Sequence, residues 1–192
     1  MEAGSRAITL SLMAEPTPLY QIRLAVRSEL EDIAAGDSVL VAASGGADSS
    51  ALAAALLLEC KSKSIKVIAL IIDHGLQKNS ADVTHETKRT LTKIGYENIE
   101  IRRVTVEITD GLEASARRAR YQALSDVANS HNAVAIFLGH TKDDQAETVL
   151  LGLSRGSGSR SLSGMAARVD RYRRPLLSIT SCLLYTSDAA DE

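Results

Sequence analysis

The stretch Val39-Leu40-Val41-Ala42-Ala43-Ser44-Gly45-Gly46-Ala47-Asp48-Ser49-Ser50-Ala51-Leu52 limits the folds open to this chain. An apolar, β-prone run stops at Ser-Gly-Gly, and an Asp and two hydroxyls then open an alanine- and leucine-rich helix. Two glycines let the backbone turn tightly and come close to a ligand. Free N–H groups at the helix start attract an anion. Ser44, Gly45, Gly46, Ala47, Asp48 and Ser49 therefore read as a phosphate-binding loop, with Ser44 and Ser49 offering hydroxyl donors. Asp48 either orients the loop or holds a magnesium ion shared with the phosphates. The plainer alternative is a glycine-rich turn capped by Ser or Asp, yet a cap needs one polar group and not four around two glycines. The pattern lacks the Lys of G-x-x-x-x-G-K-[ST] and the spacing of G-x-G-x-x-G.

The rest of the chain repeats this strand-then-helix order. Leu19 to Ala34 carries Ile22, Ala25, Val26, Leu30 and Ile33 near helical spacing, and Gly36 ends it. After the loop, a helix is expected from about Ser49 to Lys61. Lys66 to Asp73 contains an unbroken apolar run typical of a central parallel strand. A polar helix over Ser80 to Ile94, a strand over Ile99 to Val106 and a long helix over Leu112 to Ser130 follow. A strand over Ala133 to Gly139 and a helix over Asp143 to Leu153 complete the series. This order predicts an α/β fold, a doubly wound parallel sheet with helices on both faces. Ligands of such sheets collect outside the C-terminal strand ends, which would bring 44–49, 73–74 and 140–147 to one pocket.

Composition narrows the partners. The 192 residues are 45% apolar, with one Phe and no Trp, so one core of Leu, Val, Ile and Ala is expected. A net charge of −2 argues against a uniformly basic nucleic-acid-binding surface. It leaves room for a local patch, and Arg155, Arg160, Arg168, Arg171, Arg173 and Arg174 concentrate positive charge late in the chain. Cys60 and Cys182 form no C-x-x-C pair, so neither a disulfide framework nor a zinc site is signalled, in keeping with a reducing cytoplasm. Ile8 to Met13 is too short for a membrane span and makes a poor signal peptide. Residues 1–18 read as a loose extension, with Met13 a candidate start, and 19–180 as one domain. Residues 181–192 continue no visible element and resemble a translated sequencing-adapter tail after truncation near Thr180.

Three further clusters carry chemistry. In His140-Thr141-Lys142-Asp143-Asp144-Gln145-Ala146-Glu147-Thr148, helical spacing puts most of the acids on one face near a helix start. Asp143, Asp144 and Glu147 beside His140 could bind magnesium or a cationic substrate, with His140 as a proton acceptor. Equally, acids in a first turn complement the helix dipole or cap it. Glu113, Arg117, Arg120 and Tyr121 form either a salt-bridged solvated face or a site for a phosphate. Asp73-His74 is either a pocket wall or a turn closing a strand.

Ser44 to Ser49 resembles the pyrophosphate-binding loop of the N-type ATP pyrophosphatases, the PP-loop superfamily. Together with Asp73-His-Gly-Leu76, Leu112-Glu-Ala-Ser-Ala-Arg-Arg-Ala-Arg-Tyr121 and Gly139-His-Thr-Lys-Asp-Asp-Gln-Ala-Glu-Thr148, it resembles the tRNA(Ile)-lysidine synthetase family. Arg155-Gly-Ser-Gly-Ser-Arg-Ser-Leu-Ser-Gly164 and Arg174-Pro-Leu-Leu177 extend the resemblance over roughly positions 19 to 179. The resemblance implies an adenine nucleotide alpha hydrolase-like, Rossmann-like fold in a cytoplasmic ligase that uses ATP and Mg2+. Its substrates would be L-lysine and tRNA(Ile) with a CAU anticodon, whose wobble cytidine is adenylated at the C2 oxygen and then attacked by lysine, so that it reads A instead of G. By resemblance, Ser44 to Ser49, Asp73 and His74 would bind the nucleotide, and Asp143, Asp144 and Glu147 would receive the lysine ammonium. His140 and Arg117 would sit by the reacting base and adenylate, with Asp48 and Asp144 as metal ligands. Family members continue past Arg-Pro-Leu-Leu with parts that help bind tRNA. No membrane is implied, and a homodimer is left open. Related thiolases carry paired cysteines, and ATP-binding modules of the universal-stress type need no acidic 143–147 cluster.

Overall fold

The computed structural model describes residues 17–73, 80–105, 111–154 and 163–181. Helix α1, Pro18–Glu29, opens where Thr17 Oγ1 accepts the Tyr20 N–H at 3.4 Å and Pro18 occupies a first-turn position that needs no donor. It buries Ile22 and Val26. The apolar spacing predicted a helix to Ala34, but α1 stops at Glu29. Leu30 N–H folds back to Arg27 O, and Asp37 Oδ2 accepts from Ala34 N–H beside Gly36 at φ +91°. Leu30 and Ile33 still reach the core from this turn.

Strand β1 is Ser38–Ala43, followed by α2, Ala47–Ser62, and β2, Lys66–Asp73. Then come α3, Ser80–Ile94; β3, Ile99–Arg103; α4, Leu112–Ser130; β4, Ala133–Phe137; and α5, Lys142–Ser154. Strands β5, Arg168–Val169, and β6, Tyr172–Arg173, precede a short 3-10 helix, Pro175–Ser178. The sheet order is β3-β2-β1-β4-β6-β5. Strand β1 pairs in parallel with β2 and β4, and β3 adds in parallel to β2.

Side-chain alternation along β1 builds two cores. Val39, Val41 and Ala43 pack with Ile22, Val26, Leu52, Leu56 and Leu91 from α1, α2 and α3. Leu40 and Ala42 pack with Leu124, Val127 and Ala128 of α4 on the opposite face. Helices therefore cover both faces, as the β-α order predicted. A buried Glu59 on α2 is held by Arg23 at 2.7 Å and Arg27 at 2.9 Å, which draws α1 onto α2.

Two features depart from the sequence reading. Strand β3 ends at Arg103 and not at Val106; it is an edge strand with Ile101, Arg102 and Arg103 exposed, and residues 106–110 lie outside the described ones. The β5–β6 hairpin was not expected. It turns at Asp170, φ +51°, with β6 parallel to β4 and β5 antiparallel to β6, so the sheet is mostly and not wholly parallel. Arg173 makes two hydrogen bonds to Asp32, at 2.6 and 2.9 Å, and Arg168 pairs with Glu29. These contacts strap the hairpin to the end of α1, so two of the late arginines serve internal ion pairs. The neighbouring guanidinium of Arg173 holds the Asp32 carboxyl below its usual range.

From β1 the chain steps first to β2 and β3 on one side, then crosses to β4 and β6 on the other. The crevice at this reversal lies at the C-terminal ends of β1 and β4, where open α/β sheets take ligands. Ser44 follows β1 and His140 follows β4. Among the described residues, no helix is long and apolar enough to cross a membrane.

Candidate active site

The loop after β1 is built to leave backbone donors free. Gly45 adopts φ +87°, a conformation that only glycine takes easily. Gly46 is the N-cap of α2 and provides no side-chain cap, so the first N–H groups of the helix have no partner of that kind. That removes the capped-turn alternative for Ser and Asp. Ser49, 6% exposed, is a staple and not a free donor: its hydroxyl donates to Gly46 O at 2.9 Å and accepts from Ser44 N–H at 3.2 Å. Ser44 Oγ also donates to it at 3.1 Å. The loop is thus pre-shaped, with the Ser44 N–H held by Ser49 and the uncapped start of α2 left to suit phosphate oxygens.

Two neighbours fix this shape. Thr87, buried on α3 with its hydroxyl donating to Val83 O at 2.7 Å, lies directly against Gly45. Gly139, just past β4, lies so close to α2 that a Cβ there would stand 3.1 Å from Ser49 Cα and 3.3 Å from Ser49 N. The segment carrying His140 is therefore seated on the phosphate loop.

The acids converge from α2 and α5. Asp144 accepts from Thr141 N–H at 2.7 Å and Thr141 Oγ1 at 3.0 Å, so it does hold the start of α5, as the capping alternative supposed. Its charge still faces inward, acting on Asp48, His140 and Arg120. Ser181 bridges the group. Its N–H donates to Asp143 at 2.6 Å, its hydroxyl to Asp48 Oδ2 at 3.2 Å, and Thr141 Oγ1 lies 3.1 Å from that hydroxyl. Burial, and then the negative charges of Asp144 and Asp143, push the Asp48 carboxyl up despite the Ser181 bond. Asp48 Oδ1 is buried without a partner among the described residues. A carboxylate pushed up by two acidic neighbours in this way favours a cation beside it. No three His, Cys, Asp or Glu side chains among the described residues are placed to hold a metal ion by themselves. A magnesium ion needs only one or two carboxylates when phosphate oxygens complete its shell, and this donor set fits that use.

Facing the acids is a cationic wall. Burial first, then the positive charges of Arg120 and Arg174, push the His140 imidazole down to about 4, with Asp144 opposing. His140 Nδ1 is buried and unpartnered. Arg120 is itself shifted down by burial. Arg117 stacks 5.0 Å from the centre of the Tyr121 ring and donates to its hydroxyl at 3.3 Å.

The His140 shift has a consequence for stability. An unfolded imidazole titrates near 6.5, so below that pH the unfolded chain binds a proton that the folded chain refuses until about 4. His140 costs nothing above about pH 6.5 and destabilises progressively as the pH falls toward about 4. Urea midpoints measured across this window should fall for the chain as it stands and stay flatter for His140→Asn. Parallel profiles for the two proteins would contradict the assignment.

Glu147 is exposed one turn along α5. The Asp73 carboxylate lies 4.0 Å from Arg103 at the end of β2, and His74 lies outside the described residues, as do Arg155 and Arg160. Residues not expected are Thr87, Thr141 and Ser181, while Arg174 was expected only as part of the late basic patch. Arg174, 6% exposed, stands beside β4 because Leu138 N–H bonds to Arg173 O at 2.9 Å. The Cys60 thiol is buried and pushed up to about 12 by that burial, which suits packing and not nucleophilic chemistry.

Residues 19–187 match the PP-loop domain family. The tRNA(Ile)-lysidine synthase of Thermobifida fusca (strain YX) is 48% identical over 164 residues, covering 85% of this chain and 51% of that protein. The tRNA(Ile)-lysidine synthase of Streptomyces coelicolor is 53% identical over 144 residues, 73% of this chain and 41% of the relative. That of Rhodococcus jostii is 45% identical over 172 residues, 90% and 51% respectively. The chain thus spans about half the length of these curated relatives. Among solved structures, the U34-tRNA thiolase NcsA from Methanococcus maripaludis superposes with a TM-score of 0.72 at 20% identity, over 88% of this chain and 62% of that one. That likeness is one of fold.

Proposed function

The chain belongs to the PP-loop domain family, and on that premise we propose that it carries the catalytic domain of a tRNA(Ile)-lysidine synthase. ATP would adenylate the C2 oxygen of the wobble cytidine in tRNA(Ile) with a CAU anticodon, and free L-lysine would then displace AMP. One observation carries the site assignment. The buried side-chain polar atoms without a partner among the described residues are Asp48 Oδ1, in the first turn of α2, His140 Nδ1, and the Nε of Arg174, whose charge acts on His140. Leaving buried donors and acceptors unmet is costly, so such a cluster points to a ligand that meets them.

In the first step the cytidine C2 oxygen attacks the α-phosphorus and the bond to the β-phosphate breaks. The amides of Ala47, Asp48 and Ser49 at the start of α2 would take the departing pyrophosphate. Asp48, with Asp144, would hold Mg2+, which when bound offsets charge on the leaving group. In the second step the lysine amine attacks C2 and AMP leaves with the oxygen. Asp143 and Asp144, in the first turn of α5, present negative charge for the lysine ammonium. His140, kept neutral by burial and by Arg120 and Arg174, would accept a proton from the attacking amine. The wobble base must leave its stack to reach the crevice.

The test is transfer of radiolabelled lysine to a CAU-anticodon transcript. In the same assay, Asp144→Asn keeps an oxygen for the Thr141 N–H, so α5 still starts normally while the charge is lost. Lysine KM should rise by roughly ten-fold or more, the scale of a charge-assisted contact. An unaltered lysine KM would remove Asp144 from the lysine site.

A further inference from the structure

Two guanidinium groups of this site share one phenol. Tyr121 Oη accepts from Arg117 at 3.3 Å and from Arg174 at 3.3 Å. The ring is fixed from behind by Tyr172, with centroids 5.1 Å apart at 58° and the Tyr172 hydroxyl donating to Tyr121 O at 3.4 Å. Arg174 is 6% exposed, and another of its nitrogens donates to Ala166 O at 2.9 Å, while Nε is buried and unpartnered among the described residues. Neither arginine pairs with a carboxylate among the described residues, although Arg168 and Arg173, close by in sequence, are both paired. Like charges gathered on one oxygen repel unless an anion lies between or in front of them. A phenol that accepts twice still has its own proton to donate, and the two bound cations make it a stronger donor.

We infer that Tyr121 and Arg174 form, with Arg117, a receptor for the phosphoryl group of the nucleotide's AMP half, next to and separate from the loop that holds pyrophosphate. Arg117, exposed at the front, and the Tyr121 hydroxyl touch the phosphoryl oxygens. Arg174 is a positioning residue: it is anchored on Ala166, fixes the Tyr121 hydroxyl, and supplies charge from behind. The placement agrees with the reaction, because Gly139 packs on Ser49, the charges of Arg174 and Arg117 reach the adjoining His140, and the phosphorus attacked must lie between pyrophosphate and nucleoside. The inference rests on the nucleotide site proposed above and adds the part of the nucleotide that each half of the site reads.

The test is calorimetric binding of AMP, pyrophosphate and ATP to the whole chain and to Tyr121→Phe, Arg174→Met and Arg174→Lys. Tyr121→Phe keeps the ring on Tyr172 and removes only the shared oxygen, so it remains informative if Arg174→Met folds poorly. AMP affinity should fall about ten-fold or more in Tyr121→Phe and Arg174→Met, with pyrophosphate affinity within about two-fold of the parent. Arg174→Lys keeps the charge and should recover part of the loss. AMP affinity unchanged in Tyr121→Phe while ATP still binds would overturn this inference alone. Equal losses for AMP and pyrophosphate would overturn it too, by making the residues structural. Loss of binding to an anticodon stem-loop with AMP unaffected would assign the receptor to RNA phosphate and overturn the nucleotide assignment. A parent chain that binds neither ATP nor pyrophosphate would instead defeat the nucleotide site itself.

Discussion

Replacing Gly45 by alanine should both unfold the chain more easily and abolish its grip on phosphate. The residue sits at φ +87°, and forcing an L side chain into the left-handed region costs about 1–2 kcal/mol. The new methyl would also collide with Thr87 Oγ1, a hydroxyl that cannot simply swing away because it is bonded to Val83 O within α3. Overpacking of this kind costs about 1–3 kcal/mol more. The expected total, roughly 2–5 kcal/mol, is a large fraction of the stability of an ordinary domain. Urea unfolding reads it directly. The double variant Gly45→Ala/Thr87→Ala separates the two causes, since removing the hydroxyl relieves the collision and leaves the backbone cost. If the double variant is no more stable than Gly45→Ala, contact with α3 is not what shapes the loop.

Gly139→Ala should have the opposite profile: a modest loss of stability and a large loss of binding. Gly139 has no left-handed φ to defend, but its Cβ would press on backbone, at 3.1 Å from Ser49 Cα, 3.3 Å from Ser49 N and 3.5 Å from Asp48 C. Backbone in the first turn of a helix cannot yield as a side-chain tip does, so the start of α2 must shift by a few tenths of an ångström. In the proposed site the amides of that turn receive pyrophosphate. Affinity for pyrophosphate should drop by roughly ten-fold or more, about 1.4 kcal/mol per decade, while the urea midpoint moves much less than in Gly45→Ala. Undiminished pyrophosphate binding would mean that the crevice between β1 and β4 tolerates the methyl and that the loop is less closely seated than the distances indicate.

These two glycines illustrate what the sequence makes legible. The strand–Gly-Gly–helix run is local chemistry, so Ser44 to Ser49 could be read as a phosphate loop without knowing what lay beside it. That Thr87 would close one side of it could not be read. The buried face of α3 is Thr84, Thr87 and Leu91, so it has the right spacing but too little apolar contrast to announce itself. Strands β1, β2 and β4 were visible from their apolar runs. The β5–β6 hairpin was not, because two-residue strands bury too little to leave a pattern, and what holds it is Arg173 on Asp32, about 140 residues away in sequence.

The acids of α5 were visible as a cluster, but their division of labour is tertiary. Asp144 spends one oxygen on Thr141, Asp143 turns to Ser181, and Glu147 stays outside. Arg174 was legible only as one of a run of late arginines and as part of a resemblance. Its separation from the carboxylates among the described residues becomes apparent once Arg168 and Arg173 are seen to take Glu29 and Asp32.

The most direct test of the account is which bond of ATP is broken. ATP labelled in its α-phosphate would be incubated with this chain, Mg2+, lysine and a CAU-anticodon transcript, and the products separated. The site described here, with a loop for pyrophosphate beside a cationic wall for the adenylyl group, predicts labelled AMP in equal amount with pyrophosphate, dependent on both lysine and tRNA and lost in Gly139→Ala. Labelled ADP with inorganic phosphate would mean attack at the γ-phosphate and would contradict the account at its centre.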